Sequence, residues 1–439
     1  MQFNSIAFIF HFLPLLLAAY YIFPSGLRNA VLLCGSLVFY FFAGGIQPVL
    51  MLLGCTVLCY VAALTLDGKR AKMRLAIYLL LLILILGFYK RFDGGGHLPA
   101  GMSFYMFQLA AYLIDVYREK VRPQGNLITF ASRIVMFPKL LSGPLVQPSA
   151  LHDAQPEPTV FRFREGVHLL ILGLGLKVIL ANRIGGLWAQ AGVTGFDVLS
   201  TPAAWLALTA FSMQLYFDFY GYSLMAMGLG KMLGFDLPRN FDDPYAAKTV
   251  SAFYRRWHMT LGLWFREYVY IPLGGNRRGA CRTILNLAFV WGLTGIWHGT
   301  GGNYLLWAGF LFLMIVNERL WLGKWLEKSH ILSRVYLIGV ILLSWVPFAV
   351  DDFVQMITFL RCLFGCGAKP ANPQDWLQWA ENFAGLLIVG IIFATPLPKK
   401  LWEKLKNSIL ADILLVVLFW VSIYFISTAA QDPFLYFRY

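Results

Sequence analysis

Seven histidines are spread along the chain, and two sit where an imidazole could move a proton. His298 lies in GIWHGTGGN (295–303), inside an otherwise apolar run. An ionisable side chain at membrane depth is costly and marks a polar cavity or pathway by default. Imidazole is also the side chain whose ordinary pKa suits proton abstraction near neutrality. Glycines at 292, 295, 299, 301 and 302 would let helices bend and let backbone approach a substrate. A core histidine bonded to a backbone carbonyl explains the same residue without chemistry, and the residues alone leave both readings open. His258, in RRWHMTL (255–261), poses the same question on a basic segment that tolerates histidine more easily. His11, His97, His152, His168 and His330 lie singly near helix ends or loops and read as incidental. With no HExxH, GxSxG or CxxC, metalloprotease and serine-hydrolase chemistry find no support, and no metal is expected.

His258 belongs to the longest polar stretch, 235–282. Eight basic residues fall between Arg239 and Arg282, opposed only by Asp242, Asp243 and Glu267. Phe253, Trp257, Leu261, Trp264, Phe265 and Tyr268 recur at helical spacing and predict one apolar stripe. Thr249 or Ser251 caps its start, and Pro272 with Gly274 and Gly275 stops it. Such a helix lies at a membrane interface or packs beneath membrane helices. Two readings again stand side by side. The arginines either form a solvated cytoplasmic face or hold the phosphates of a nucleotide-like acyl donor, a task that suits guanidinium geometry. Arg255, Arg256, Arg277 and Arg278 are the candidates for the second.

The elements that must position these residues are membrane helices. The chain has 439 residues, 59% hydrophobic and only 13% charged, against about a quarter charged in a soluble domain. Apolar runs near 5–23, 29–44, 48–66, 73–90, 99–117, 163–182, 202–233, 283–297, 303–322, 331–350, 382–397 and 408–427 predict about ten to thirteen membrane elements. The run at 283–297 is short enough to be bent or re-entrant. Residues 5–23 read as a retained helix rather than a signal peptide, having no basic n-region and no small-residue cleavage site. The net charge of +14 points to basic cytoplasmic loops, such as Lys69–Arg74, Arg118–Arg122 and 398–407, and not to nucleic acid. Six cysteines are scattered through apolar stretches and predict buried, reduced, inert thiols. No internal repeat or soluble domain is evident, so 1–439 reads as one all-α polytopic membrane domain.

Several stretches, in order, resemble the membrane-bound O-acyltransferase family in its alginate O-acetyltransferase-like bacterial branch. They are GMSFYMFQLAAYLIDVYR (101–118), FPKLLSGPL (137–145) and FDFYGYSLMAMGLGKMLGFDLPRNFDDPY (217–245). FYRRWHMTLGLWFREYVYIPLGGNRRG (253–279), LTGIWHG (293–299) and DPFLYFRY (432–439) follow. The resemblance implies a ring of tilted helices around a thinned centre, with a funnel on each face. It implies that His298 is the catalytic histidine and that His258 is a second characteristic polar position. It further implies acetyl-CoA as cytosolic donor, a polysaccharide acceptor outside the bacterial inner membrane, and an SGNH-type partner that completes the transfer. A D-alanyl or other acyl donor, or a non-enzymatic glycan transporter with similar broken helices, stays open at this point.

Overall fold

A chain that crosses lipid must satisfy its backbone polar groups internally, which for apolar runs of this length means helices. The computed structural model describes residues 1–92, 98–151, 156–367 and 369–428. His97, His152 and the DPFLYFRY motif lie outside the described residues. Among those described there are helices and turns but no strand. Nine helices among the described residues are long and apolar enough to cross a membrane, and shorter apolar helices occur at Phe8–Ile22 and Phe353–Leu363. The 202–233 run forms a single 32-residue helix, Thr201–Met232. Apolar side chains stay exposed along these helices, as do Ile413, Leu414, Val417 and Trp420 on Ile409–Thr428. In water such a surface would aggregate; in lipid it is the expected outer face. The protein is an all-α, multi-pass membrane protein.

Three sequence expectations need amending. The 283–297 run is not short: it belongs to a continuous 20-residue helix, Gly279–His298, long and apolar enough to cross a membrane. The stripe from Phe253 to Tyr268 is not one helix. Helix Val250–Tyr254 ends, His258 takes a left-handed conformation (φ 44°, ψ 52°), and Met259–Phe265 starts again. Both halves still bury Phe253, Trp257, Leu261, Phe265 and Tyr268. Of the cysteines, Cys55, Cys59 and Cys362 are buried as expected, whereas Cys34, Cys281 and Cys366 are exposed.

The chain packs as two compact units, one chiefly Met1–Leu174 with Tyr222–Arg239, the other chiefly Gly175–Gly221 with Asn240–Phe425. The first is built on helices Arg28–Gly44, Ile46–Leu64, Ala71–Phe92 and Met102–Tyr117. Its core holds a ring cluster of Phe3, Phe8, Phe39 and Phe137, with Tyr222 stacked on Phe3 at 4.7 Å between centroids. Two of its helices touch backbone to backbone: a Cβ on Gly166 would stand 2.6 Å from the Gly228 carbonyl oxygen. Small residues at such crossings give membrane helices their close packing.

The second unit is organised by an antiparallel hairpin of Gly279–His298 and Gly302–Asn317, which packs on His330–Ala349. Gly295 permits the hairpin, since a Cβ there would lie 3.0 Å from both Ala308 Cβ and the Tyr304 carbonyl oxygen. Asn303 Nδ2 donates to the Pro347 carbonyl and to Asp351 Oδ1, each at 3.1 Å, tying the start of one helix to the end of another. Lys177 and Asp218 form a buried ion pair at 2.6 Å. The hairpin's short loop puts His298, the last residue of its first helix, close to the first turns of the second.

Candidate active site

His298 is 6% exposed and lies among rings. Its imidazole is 4.7 Å from Trp297, 4.9 Å from Trp307 and 5.3 Å from Phe348, centroid to centroid, edge-on in each case. His298, Trp307 and Phe348 line a cavity of about 250 Å³ that His258 also lines. The sequence separates the two histidines by forty positions and one helix break; the fold brings both to one space. Trp257, Trp291, Trp345 and Leu261 contribute to a wall that is mostly aromatic. A cavity with apolar walls and a few convergent polar groups is the usual form of a small-molecule site.

The backbone holds His258 from behind. Asn240 Oδ1 accepts a hydrogen bond from Thr260 Oγ1 at 2.6 Å and lies 3.3 Å from His258 Nδ1. The Asn240 carbonyl accepts from Met259 N at 2.9 Å. An amide oxygen facing Nδ1 selects the tautomer protonated there, so Nε2 carries the lone pair. Phe219 meets the ring edge-on at 4.8 Å. Burial pushes the His258 imidazole down to about 3, so it stays neutral across the physiological range. A neutral, oriented imidazole can accept or relay a hydrogen bond without bringing a charge into the cavity.

The helix start before His258 is fixed with similar care. Thr249 is the N-cap, accepting from Ala252 N at 3.1 Å. Ser251, the alternative cap, instead donates through Oγ to Glu318 Oε2 at 2.7 Å, and the backbone N–H groups of Val250 and Ser251 also donate to that carboxylate. A buried carboxylate on helix-terminal N–H groups is stabilised both by hydrogen bonds and by the helix dipole.

The candidate arginines are placed differently from the histidines. Arg255, Arg277 and Arg278 are exposed and Arg256 is half-buried; none of the four lines the cavity, whereas Arg266 does. Tyr254 also lines it, Asn240 stands behind His258, Asp218 is committed to Lys177, and Tyr220 stacks on Tyr216 at 5.4 Å. Reading the sequence missed Trp307. It is 2% exposed, it lines the cavity, and its Nε1 has no hydrogen-bond partner among the described residues. A buried N–H left unmet is uncommon in proteins and calls for a ligand or water. The available signal was a tryptophan nine residues beyond His298, just across a glycine loop that folds back. No group of three or more metal-ligating side chains occurs among the described residues.

Comparison with known proteins identifies the family. A model of the membrane-bound O-acyltransferase family matches residues 189–348, which contain both histidines and Trp307. The chain is 30% identical over 488 aligned positions to the probable alginate O-acetylase AlgI of Pseudomonas putida, covering 100% of each. It is 33% identical to the protein of the same name from Pseudomonas aeruginosa, across 90% of this chain and 80% of the relative. It is 27% identical to the peptidoglycan O-acetyltransferase of Helicobacter pylori, covering 100% and 97%. Full-length similarity at this level, over a chain whose histidine-bearing hairpin falls within the matched segment, means that the protein belongs to the membrane-bound O-acyltransferase family and is an O-acyltransferase.

Proposed function

We propose that the protein takes an acetyl group from acetyl-CoA on the cytosolic side of the bacterial inner membrane and passes it to a hydroxyl on the outer side. The final acceptor is an extracytoplasmic polysaccharide. The observation that carries this reading is the shared cavity: a buried histidine at the end of a membrane helix faces a space that a second, neutral histidine also lines. The relatives named as alginate and peptidoglycan O-acetyl-transferring proteins support acetyl as the group and polysaccharide as the destination. At about 250 Å³ the cavity falls below the ~300–1,000 Å³ of ordinary ligand sites, which favours a slim two-carbon thioester over a long acyl chain.

In this mechanism His298 accepts the proton of the attacking hydroxyl. The hydroxyl oxygen forms the new ester bond to the acyl carbon, the carbon–sulfur bond breaks, and the departing thiolate recovers the proton. A thioester needs little more than a positioned nucleophile and a base. Trp307 Nε1–H supplies a donor for the acyl oxygen as negative charge gathers on it. His258, held by Asn240, orients one of the two substrates. The exposed Arg255, Arg277 and Arg278, with Arg256, hold the donor's phosphates outside the cavity, and Arg266 stands at its lining. An SGNH-type partner supplies the intermediate hydroxyl or completes delivery to the sugar.

The test is His298→Gln in native membranes, with release of free CoA thiol and ester on the polysaccharide as readouts and immunoblotting for abundance. The expected result is normal abundance, no acetyl ester and no thiol release above background. Persistent transfer would remove His298 from the chemistry, and transfer without thiol release would rule out the thioester donor.

A further inference from the structure

The acyl-transfer cavity has two unlike ends. Helix Met259–Phe265, with its continuation Arg266–Tyr270, runs antiparallel to helix Gly279–His298 along it. At one end the His258 ring stands 6.2 Å from that of Trp297. At the other, Asn286 Nδ2 donates to the carbonyls of Leu273 at 3.3 Å and Gly275 at 3.0 Å. The first end is the aromatic pocket in which Trp307 and Phe348 surround His298. Towards the second, the wall is formed by Arg266, Tyr270 and Leu287, and the chain beyond is the basic loop that carries the exposed Arg277 and Arg278. At about 1.5 Å per helical residue, Leu287 lies about 16 Å from His298. A volume of about 250 Å³ drawn out over that distance is a channel rather than a chamber.

Gly262 lines this channel one helical turn from His258. His258, Leu261, Phe265 and Arg266 line it too, and Gly262 falls between them on the same face. Its backbone does not call for glycine: it is not among the residues with positive φ, and its N–H donates to the His258 carbonyl at 3.1 Å. Packing does not call for glycine either. A Cβ at 262 would meet nothing nearer than the Tyr254 carbonyl oxygen at 3.9 Å, an ordinary contact. Gly295 and Gly299 differ, since a Cβ at either would press on neighbouring protein atoms. A glycine inside a helix costs stability relative to alanine, so its use at 262 needs a reason outside the fold. The space that a side chain there would occupy is the channel itself. On the facing helix, Thr294, one turn before His298, lines the channel at the corresponding level.

We infer that Gly262 is the aperture through which the arm of the acyl donor passes, an inference that rests on the acetyl-CoA reading above. With the acyl carbon between His298 and Trp307 and the phosphates at the basic loop, a thin, unbranched chain must join them. That chain runs between Gly262 and Thr294, and the missing side chain is its clearance. Gly262 therefore governs donor binding and takes no part in the chemistry.

The experiment compares the full-length parent with Gly262→Ala and Gly262→Val in native membranes. Thiol release is followed from acetyl-CoA and from butyryl-CoA, and the unfolding midpoint of each protein is measured after purification in detergent. Gly262→Ala should raise the KM for acetyl-CoA about tenfold, the effect of one methyl group where a site has no spare room, with kcat changed less. Its midpoint should equal or exceed the parent's, and Gly262→Val should raise KM further. A variant at least as stable that binds its donor less well is a pairing that a merely structural glycine would not give. Unchanged KM in both variants, or a lower midpoint in Gly262→Ala, would overturn the aperture and leave the acetyl-CoA reading standing. A loss confined to butyryl-CoA would overturn it in favour of a subsite for the acyl group. No thiol release from the parent would overturn the acetyl-CoA reading and the aperture with it.

Discussion

Acidification should destabilise this protein through His258 in a way that one substitution removes. The native imidazole titrates near 3 and its ordinary value is 6.5. At any pH between those values the unfolded chain binds the proton and the folded chain does not, so stability rises with pH across that window and falls on acidification. Going from pH 7 to pH 5 leaves the native ring neutral while the unfolded ring goes from about one-quarter to nearly fully protonated. Linkage converts this to a loss of about 2 kcal/mol. Asp and Glu residues also begin to titrate there, so the informative quantity is the difference between two proteins. His258→Asn is the right comparison, because asparagine tolerates the left-handed backbone at φ 44° and its amide can still donate to Asn240. Unfolding would be followed in detergent by tryptophan fluorescence against denaturant at both pH values. The parent should lose about 2 kcal/mol more than His258→Asn between them. An equal loss in the two proteins would mean that His258 takes up its proton while folded. That would require a wet, charge-tolerant cavity and would refute the neutral imidazole on which its proposed orienting role depends.

Other consequences can be checked separately. Trp307→Phe keeps the aromatic wall but removes the N–H; kcat should fall by about 10²-fold with KM little changed, the pattern of a lost transition-state donor, and an unchanged kcat would remove Trp307 from the mechanism. Gly299→Ala should cripple turnover while leaving the protein in the membrane, because a Cβ there would lie 2.2 Å from the Tyr304 ring, beside His298; a fully active variant would mean that the loop is looser than described. Asp218→Leu should cost about 3–5 kcal/mol by stranding Lys177, and adding Lys177→Met should recover most of it; unfolding by denaturant would measure both, and no recovery in the double variant would argue against the pair.

Much of the architecture was legible in the sequence because lipid leaves the backbone few options. Runs of apolar residues long enough to cross must be helical, so Ile46–Leu64, His330–Ala349 and Ile409–Thr428 could be placed from hydropathy alone. The helix start was readable to within two candidate caps, Thr249 and Ser251, because capping chemistry acts over three residues, and the fold chose Thr249. The break at His258 was not readable. The stripe from Phe253 to Tyr268 keeps helical spacing, and only Asn240, gripping the 258–260 turn from outside the segment, makes a left-handed residue tolerable there.

The candidate site divides along the same line. Residue type and apolar surroundings singled out His298, since an imidazole at membrane depth needs a reason to be there, and His258 drew notice as the histidine of the basic segment. That the two line one cavity, that Trp307 presents an unmet N–H to it, and that the four chosen arginines lie elsewhere were settled by packing. Gly262 shows the limit most clearly: in the sequence it is one glycine within an apolar stripe, and only the fold sets it at the cavity wall. Periodicity and hydropathy are local sums over neighbouring residues, whereas a site is a meeting of residues far apart in the chain, decided by how helices pack.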